Sequence, residues 1–257
     1  MKKRLLVIFS ILTIFSLSIF AQCGEMDTEA AKLYNEGNSQ KKSGNFSGAL
    51  ESYQKALAIS KDYRIYYQLS SVYKKQRKFD KAEEALLNSL KVNPEFTSAY
   101  NSLGTTYYSW GKYDKAVENF KLFKENANDK KLEDRASKYI GLAYTKLGES
   151  ALKDRNYEEA EKNLLEAVAN YNYDAAYLKL ADVYVETGKY EEALKAADNA
   201  INFRDKKSKV PKGAPYFYKG MAFKGLSDID KAKENFKIAS SDKQYRDRSN
   251  HEIKYLN

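Results

Sequence analysis

Small and aromatic residues recur along this chain in a fixed frame. Ala49, Ala82, Ala116, Ala160, Ala193 and Ala232 follow one another at 33, 34, 44, 33 and 39 residues. Twelve residues before each stands a small residue, Gly37, Ser70, Gly104, Gly148, Ala181 or Gly220. Three residues before each stands Phe46, Phe79, Tyr113, Tyr157 or Tyr190, with Ile229 in the sixth unit. Seven residues after come Ala56, Ser89, Phe123, Ala167, Ala200 and Ala239. This period predicts a repeated pair of amphipathic helices joined by a turn, as at Gly44, Gly111 and Gly188. The small residue on the first helix is expected to face the alanine on the second, so that ridges enter grooves at close approach. The aromatic should fill the wedge left open by the turn. The small residue seven beyond the alanine should admit the next unit's first helix. No unit buries its apolar face alone, so stability comes from stacked neighbours.

Two spacers interrupt the frame. Ten extra residues, 131–140, lie between units three and four. Leu132, Ala136, Tyr139, Ala143 and Leu147 keep helical spacing, which extends the first helix of unit four back to about Asp129. Phe123 is the one bulky residue in its column, and it precedes this spacer. A changed angle is therefore expected there, dividing residues 25–130 (units one to three) from 131–257 (units four to six). Phe123 should be buried near Leu132, Ala136 or Tyr139. The second spacer, 205–213, is basic, carries Pro211 and reads as a surface loop. Arg246 to Leu256 is expected to form a capping helix, with Ile253 and Leu256 as its apolar stripe.

The stretch Ala99-Tyr-Asn-Ser-Leu-Gly-Thr-Thr-Tyr-Tyr-Ser-Trp-Gly-Lys-Tyr-Asp-Lys-Ala116 resembles the tetratricopeptide repeat family, and the resemblance runs over residues 30–246. It implies an all-α fold, an α-solenoid of six helical hairpins with a C-terminal capping helix. In that family the first helices line a concave groove that binds peptides. Carried onto this frame, the groove positions are Tyr34, Asn35, Asn38, Lys41 and Lys42 in unit one. Unit two contributes Arg64, Tyr67, Gln68, Ser71, Lys74 and Lys75, and unit three Asn101, Thr105 and Tyr108. Units four to six contribute Thr145, Glu149, Lys153, Lys179, Asp182, Glu186, Phe217, Tyr218 and Met221. The amino-terminal groove is thus basic, rich in amides and tyrosine-bearing, which suits an acidic or carboxylate-ended extended peptide. A second reading assigns Lys41, Lys42, Lys74 and Lys75 to helix carboxyl ends and the tyrosines to packing. Repeats that hold the acidic tails of heat-shock chaperones use Lys and Asn on one helix, Asn on the next, and Lys and Arg on the third. Here Asn38 matches, but Tyr34, Gln68, Ser98 and Ser102 replace the other four, which excludes that clamp.

Composition narrows the function. Of 257 residues, 43% are hydrophobic and 31% charged, which excludes a disordered chain and a multispanning membrane protein. One Cys and one His leave no multi-ligand zinc site, and no phosphate-binding glycine loop, His-Glu-x-x-His or Cys-x-x-Cys occurs. His251 reads as a surface residue and Trp110 as packing. Glu158-Glu159 and Glu191-Glu192 recur at one repeat position, where acids favour a helix start. No catalysis, metal or cofactor is expected.

Residues 1–24 read as an export signal: Lys2, Lys3 and Arg4 precede an apolar run from Leu5 to Phe20 that is short for a membrane span. Two processing routes follow, cleavage after Ala21 or lipid attachment at Cys23. The stretch Ile19 to Cys23 resembles a bacterial lipobox, with Gln22 where a small residue is usual. Loss of the leader lowers the formal charge from +9 to +6, and the remaining charges are intermingled, unlike those of a nucleic-acid binder. The expected protein is a noncatalytic adaptor in the periplasm of a diderm bacterium, holding protein partners and attached to a membrane if Cys23 is lipidated. The alternative is a structural or assembly component of an envelope machine, similar in length, signal and repeat number to pilotin lipoproteins, working through its convex face and ends. Nothing in the pattern bears on oligomeric state.

Overall fold

The computed structural model describes residues 25–256, which form thirteen α-helices. The export segment and Cys23 lie outside the described residues. The hairpins are α1 (Thr28–Lys42) with α2 (Phe46–Ile59), α3 (Tyr63–Lys75) with α4 (Phe79–Val92), and α5 (Thr97–Trp110) with α6 (Tyr113–Glu125). They continue as α7 (Lys130–Lys153) with α8 (Tyr157–Asn170), α9 (Asp174–Glu186) with α10 (Tyr190–Asn202), and α11 (Ala214–Gly225) with α12 (Ile229–Ser240). The cap is α13 (Arg246–Lys254). Each second helix begins at the aromatic or isoleucine of the repeat frame. No described helix is long and apolar enough to cross a membrane.

The turns share one backbone conformation. The residue five before each reference alanine is left-handed throughout: Gly44, Gly111 and Gly188 have φ of +83°, +83° and +72°. Arg77, Arg155 and Ser227 adopt the same state at +58°, +58° and +62°, although a Cβ there costs about 1–2 kcal/mol. The hairpin geometry overrides local preference in those three turns. Asn45, Asn156 and Asp228 then cap the following helix through their side chains.

Packing corrects two expectations about the frame. The small residue on the first helix faces not the reference alanine but the large side chain four residues beyond it. A Cβ added at Gly37 would lie 2.6 Å from the Tyr53 ring, and one at Gly220 would lie 2.6 Å from the Phe236 ring. At Gly104 and Gly148 the same added atom would come within 2.5 Å of Phe120 and Leu164. Where the small residue is Ala181, the opposing position is Ala197, so the pair is matched in size. The residue seven beyond the alanine also meets the start of its own hairpin's first helix. Ser89 Oγ donates to the Tyr63 carbonyl at 2.9 Å, and Ala239 O would lie 2.7 Å from a Cβ on Gly213. The aromatic that opens the second helix reaches the end of the next first helix: Tyr157 donates to Glu186 at 3.2 Å, and the Tyr190 ring packs on Gly225.

The chain divides into two compact units, with the limit between Ala99 and Tyr100. The core of the first unit joins Ala49, Tyr53, Leu57, Ile65, Leu69 and Val72. In the second, Leu164, Leu180, Val183, Ala193 and Ala197 form one cluster, and Phe217, Phe236 and Leu256 another. The lobe boundary that the sequence places near residue 130 falls inside the second unit. The physical reason is the length of α7: its 24 residues pack along α6 as well as α8. α7 begins one residue after its N-cap Asp129, whose carboxylate accepts from the Leu132 amide at 2.8 Å. Phe123 is 2% exposed. The neighbouring Phe120 ring lies 5.1 Å from Tyr139 of the added helical turns.

Residues 203–213, between α10 and α11, are a tethered segment rather than a simple surface loop. Ser208 Oγ donates to the buried Asp174 carboxylate, and Arg204 donates to the Val210 carbonyl. Val210 is buried with Leu178, Ala200 and Ala214. Gly213 N–H donates to Asp242 at 3.0 Å. At the end of the chain, Leu256 is buried and Ile253 packs beside it, as a capping stripe requires.

Candidate functional site

In the first unit, α1 and α3 bring several groove positions together. Lys41 Nζ donates to Gln68 Oε1 and, at 3.2 Å, to Ser71 Oγ. Partial burial holds this ammonium below its ordinary pKa, and the partners named are neutral oxygens. Lys74, on the same helix as Gln68 and Ser71, is also lowered, by burial first and by the charge of Lys75 second. Asn38 Oδ1 accepts from the Tyr53 hydroxyl at 2.7 Å, which holds the amide in one orientation. Asn35, Lys42 and Lys75 are exposed.

Other positions are occupied by structural work. Arg64 is forked onto Asp62, with Nη2 to Oδ2 at 2.5 Å and Nε to Oδ1 at 2.9 Å, so its charge is already matched. Tyr34 packs beside the core with its ring 6.2 Å from Tyr53. Tyr67 meets Phe96 edge-on at 5.1 Å, and Tyr63 meets the same ring at 4.8 Å. Neither Tyr53 nor Phe96 is a groove position in the repeat frame. The signal for Tyr53 was the column of large residues opposite the glycines.

In the second unit, Asn101 Oδ1 is buried with no hydrogen-bond partner among the described residues, a state that costs about 1–3 kcal/mol. Thr105 donates to the Ser102 carbonyl at 3.1 Å, which ties its hydroxyl to its own helix. Tyr108 is half-buried, edge-on to Tyr113 at 5.4 Å, and burial raises its pKa. Thr145 is buried, donating to Gly141 O at 2.8 Å and accepting from Tyr173. Glu149 pairs with Lys146 at 2.6 Å. Lys153 and Glu186 are exposed, whereas Lys179 and Met221 are partly covered. Phe217 departs from the groove reading: it is 4% exposed, packed on Phe236, with the Arg248 guanidinium 4.4 Å above its ring. Asp182 and Tyr218 form a hydrogen-bonded pair, and burial raises both groups above their ordinary values. Among the described residues no group of three or more His, Cys, Asp or Glu is placed to hold a metal ion.

Six helix–turn–helix units in one frame, with glycine-to-ring contacts inside hairpins and aromatic contacts between them, define an all-α helical repeat protein. The chain belongs to the tetratricopeptide repeat family, whose models match residues 30–63, 67–130 and 145–208. Over 85 residues it is 34% identical to the small glutamine-rich tetratricopeptide repeat-containing protein of Dictyostelium discoideum, covering 33% of this chain and 25% of that one. Over 135 residues it is 30% identical to the BBSome complex member BBS4 of Bos taurus, covering 52% and 25%. The chain therefore spans about a quarter of the length of these relatives. Among solved structures it is similar to the MamA protein, at 26% identity and a TM-score of 0.50 over 70% of this chain and 90% of that one. It also shares its fold with YrrB, a tetratricopeptide repeat protein with an unusual peptide-binding site. That match has 16% identity and a TM-score of 0.52, over 80% and 99% of the two chains.

Proposed function

We propose that this protein is a noncatalytic adaptor that holds extended segments of partner proteins along the first helices of its hairpins. In the first unit the segment would be acidic. The observation that carries this reading is Lys41, a partly desolvated ammonium whose named partners are the neutral oxygens of Gln68 and Ser71. A cation drawn out of water gains most from a carboxylate, because Coulomb attraction strengthens as the local dielectric falls. Asn38 and Ser71 flank it with groups that bond a peptide backbone. The peptide-binding site of YrrB, a protein of the same fold, makes such a use of the architecture reasonable. Photo-crosslinkers at Asn35 and Lys42, both exposed, should capture the partner, and the crosslinked peptides should be acidic. Charge reversal at Lys41, Lys74 and Lys75 should weaken capture, more at low salt than at high salt. Unchanged capture at low salt would move the site off the first helices.

A second reading has its own observation. Leu87, Leu122, Leu165 and Ile238 are large, exposed and at matching places on the second helices, five or six residues past the reference alanine. They favour a structural component that makes its contacts with the second-helix faces. Crosslinkers at Leu87 and Leu165 separate the two readings. For location we place the adaptor in the periplasm, held to a membrane through lipid on Cys23. Fractionation of the intact precursor tests this: Cys23→Ala should release the protein. A mature chain that begins at Gln22 without lipid would refute the anchor.

A further inference from the structure

We propose that the two interruptions of the repeat together build a second binding site in the 100–257 unit, and that it takes an acidic peptide segment carrying an apolar side chain. Four of the five intervals between hairpins could have been near 33 residues, but the third and fifth are 44 and 39. The extra turns of α7 and the segment between α10 and α11 are the material added, and both line one cleft of about 690 Å³. That volume falls within the range of about 300–1,000 Å³ usual for ligand clefts and leaves room for several residues rather than one small anion.

The walls are preorganised. The 203–213 segment is fastened by Ser208 on Asp174, Arg204 on the Val210 carbonyl, and the burial of Val210. Tyr171 and Tyr173 stack at 5.3 Å, and Tyr173 is anchored on Thr145. A ligand therefore meets surfaces that need little ordering, which removes part of the entropic cost of binding. The floor is apolar through Leu142 and Leu178, and the Phe203 ring, 42% exposed, stacks on Tyr177 at its edge.

The charge on this cleft is positive. Its three acids are engaged within the protein: Glu149 with Lys146, Asp174 with Ser208 and Arg204, and Asp205 with the Lys207 amide at 2.6 Å. Four lysines come from three different elements: Lys138 on α7, Lys179 on α9, and Lys207 and Lys209 on the inserted segment. Lys207 and Lys209 are exposed and make no ion pair among the described residues. Carboxylates spaced along a peptide complement such a rim, while an apolar side chain covers the floor. The site uses neither α1 nor α3, so it stands whether or not the first-unit groove binds peptide.

The test uses the full chain and a fluorescein-labelled peptide, Glu-Glu-Phe-Asp-Glu-Glu, read by fluorescence anisotropy at low salt. Saturable binding is expected, with affinity reduced about tenfold by Lys207→Glu combined with Lys209→Glu, since each reversal exchanges an exposed attraction for a repulsion. Lys41→Glu should leave the affinity within about twofold. Acetylation footprinting of the unaltered protein should show Lys207 and Lys209 protected by the peptide, which keeps the test valid if a variant folds poorly. Protection at Lys41 and Lys74 alone would overturn the proposal. So would equal affinity for Gln-Gln-Phe-Asn-Gln-Gln, or binding to phosphatidylglycerol vesicles without any binding of the peptide.

Discussion

Gly220→Ala tests the glycine-to-ring packing that holds each hairpin together. The added methyl would lie 2.6 Å from Phe236 Cδ1 and Cε1 and 2.9 Å from Cγ. Carbon atoms prefer about 3.5–4.0 Å, so the ring or the helix must retreat by about 1 Å. Phe236 has no exposed surface and is packed on Phe217, whose ring also meets Tyr245 at 5.4 Å. Retreat is therefore opposed on the far side of the ring. Overpacking of this kind costs about 1–3 kcal/mol. Replacing a helical glycine by alanine returns about 1 kcal/mol. The expected result is a net loss of about 1–2 kcal/mol in urea unfolding followed by circular dichroism. The melting temperature should fall by about 2–4 °C for each kcal/mol in a unit of this size. The decisive measurement is the double variant with Phe236→Leu, which opens the space the methyl needs. Its cost should be at least about 1 kcal/mol less than the sum of the two single costs. A stabilised Gly220→Ala protein, or strictly additive single effects, would refute the contact as the reason for the small residue.

Three further outcomes follow from the same coordinates. Arg155→Gly should stabilise the second unit by about 1 kcal/mol, because its φ of +58° strains any residue with a Cβ; Gly188→Ala, at +72°, should destabilise it by a similar amount in the same assay. Phe123→Ala should cost about 3–5 kcal/mol, and a loss below about 1 kcal/mol in denaturant titration would contradict its burial at 2% exposure. Asp182 has its pKa raised by burial, so the folded chain holds that proton more tightly than the unfolded chain does. Its contribution is present below the ordinary value of 3.8 and is lost as pH rises through the folded value. Asp182→Asn should flatten stability over that window, and an unchanged pH profile would show that the carboxyl is not the group responsible.

Much of the fold was legible in the chain because its causes are local. The aromatic three residues before each alanine marked the start of every second helix, and Asp129 marked the start of α7 through a cap within its own turn. The capping helix was readable from two apolar residues in a polar stretch. Groove residues were less legible. The frame could place Lys41, Gln68 and Ser71 on first helices, but not show that one ammonium reaches both of the other groups. It could not separate Arg64, whose charge is met by Asp62, from a cation open to a ligand, nor show that Phe217 turns into the core.

A periodic sequence determines which residues lie on which helix and where each turn falls, because helix pitch and turn conformation depend on neighbours a few positions away. It also requires six hairpins to stack, since each carries an apolar face that one hairpin cannot bury. The tertiary structure decided the pairings between helices. Gly37 meets Tyr53 and Gly220 meets Phe236 because the crossing of two helices selects the opposing residue, and that crossing depends on the size of every side chain in the contact. It also brought α7 and the 203–213 segment, more than fifty residues apart in the chain, to the walls of one cleft. Their local sequences say only that one continues a helix and the other does not; the cleft exists because α8, α9 and α10 fold back between them.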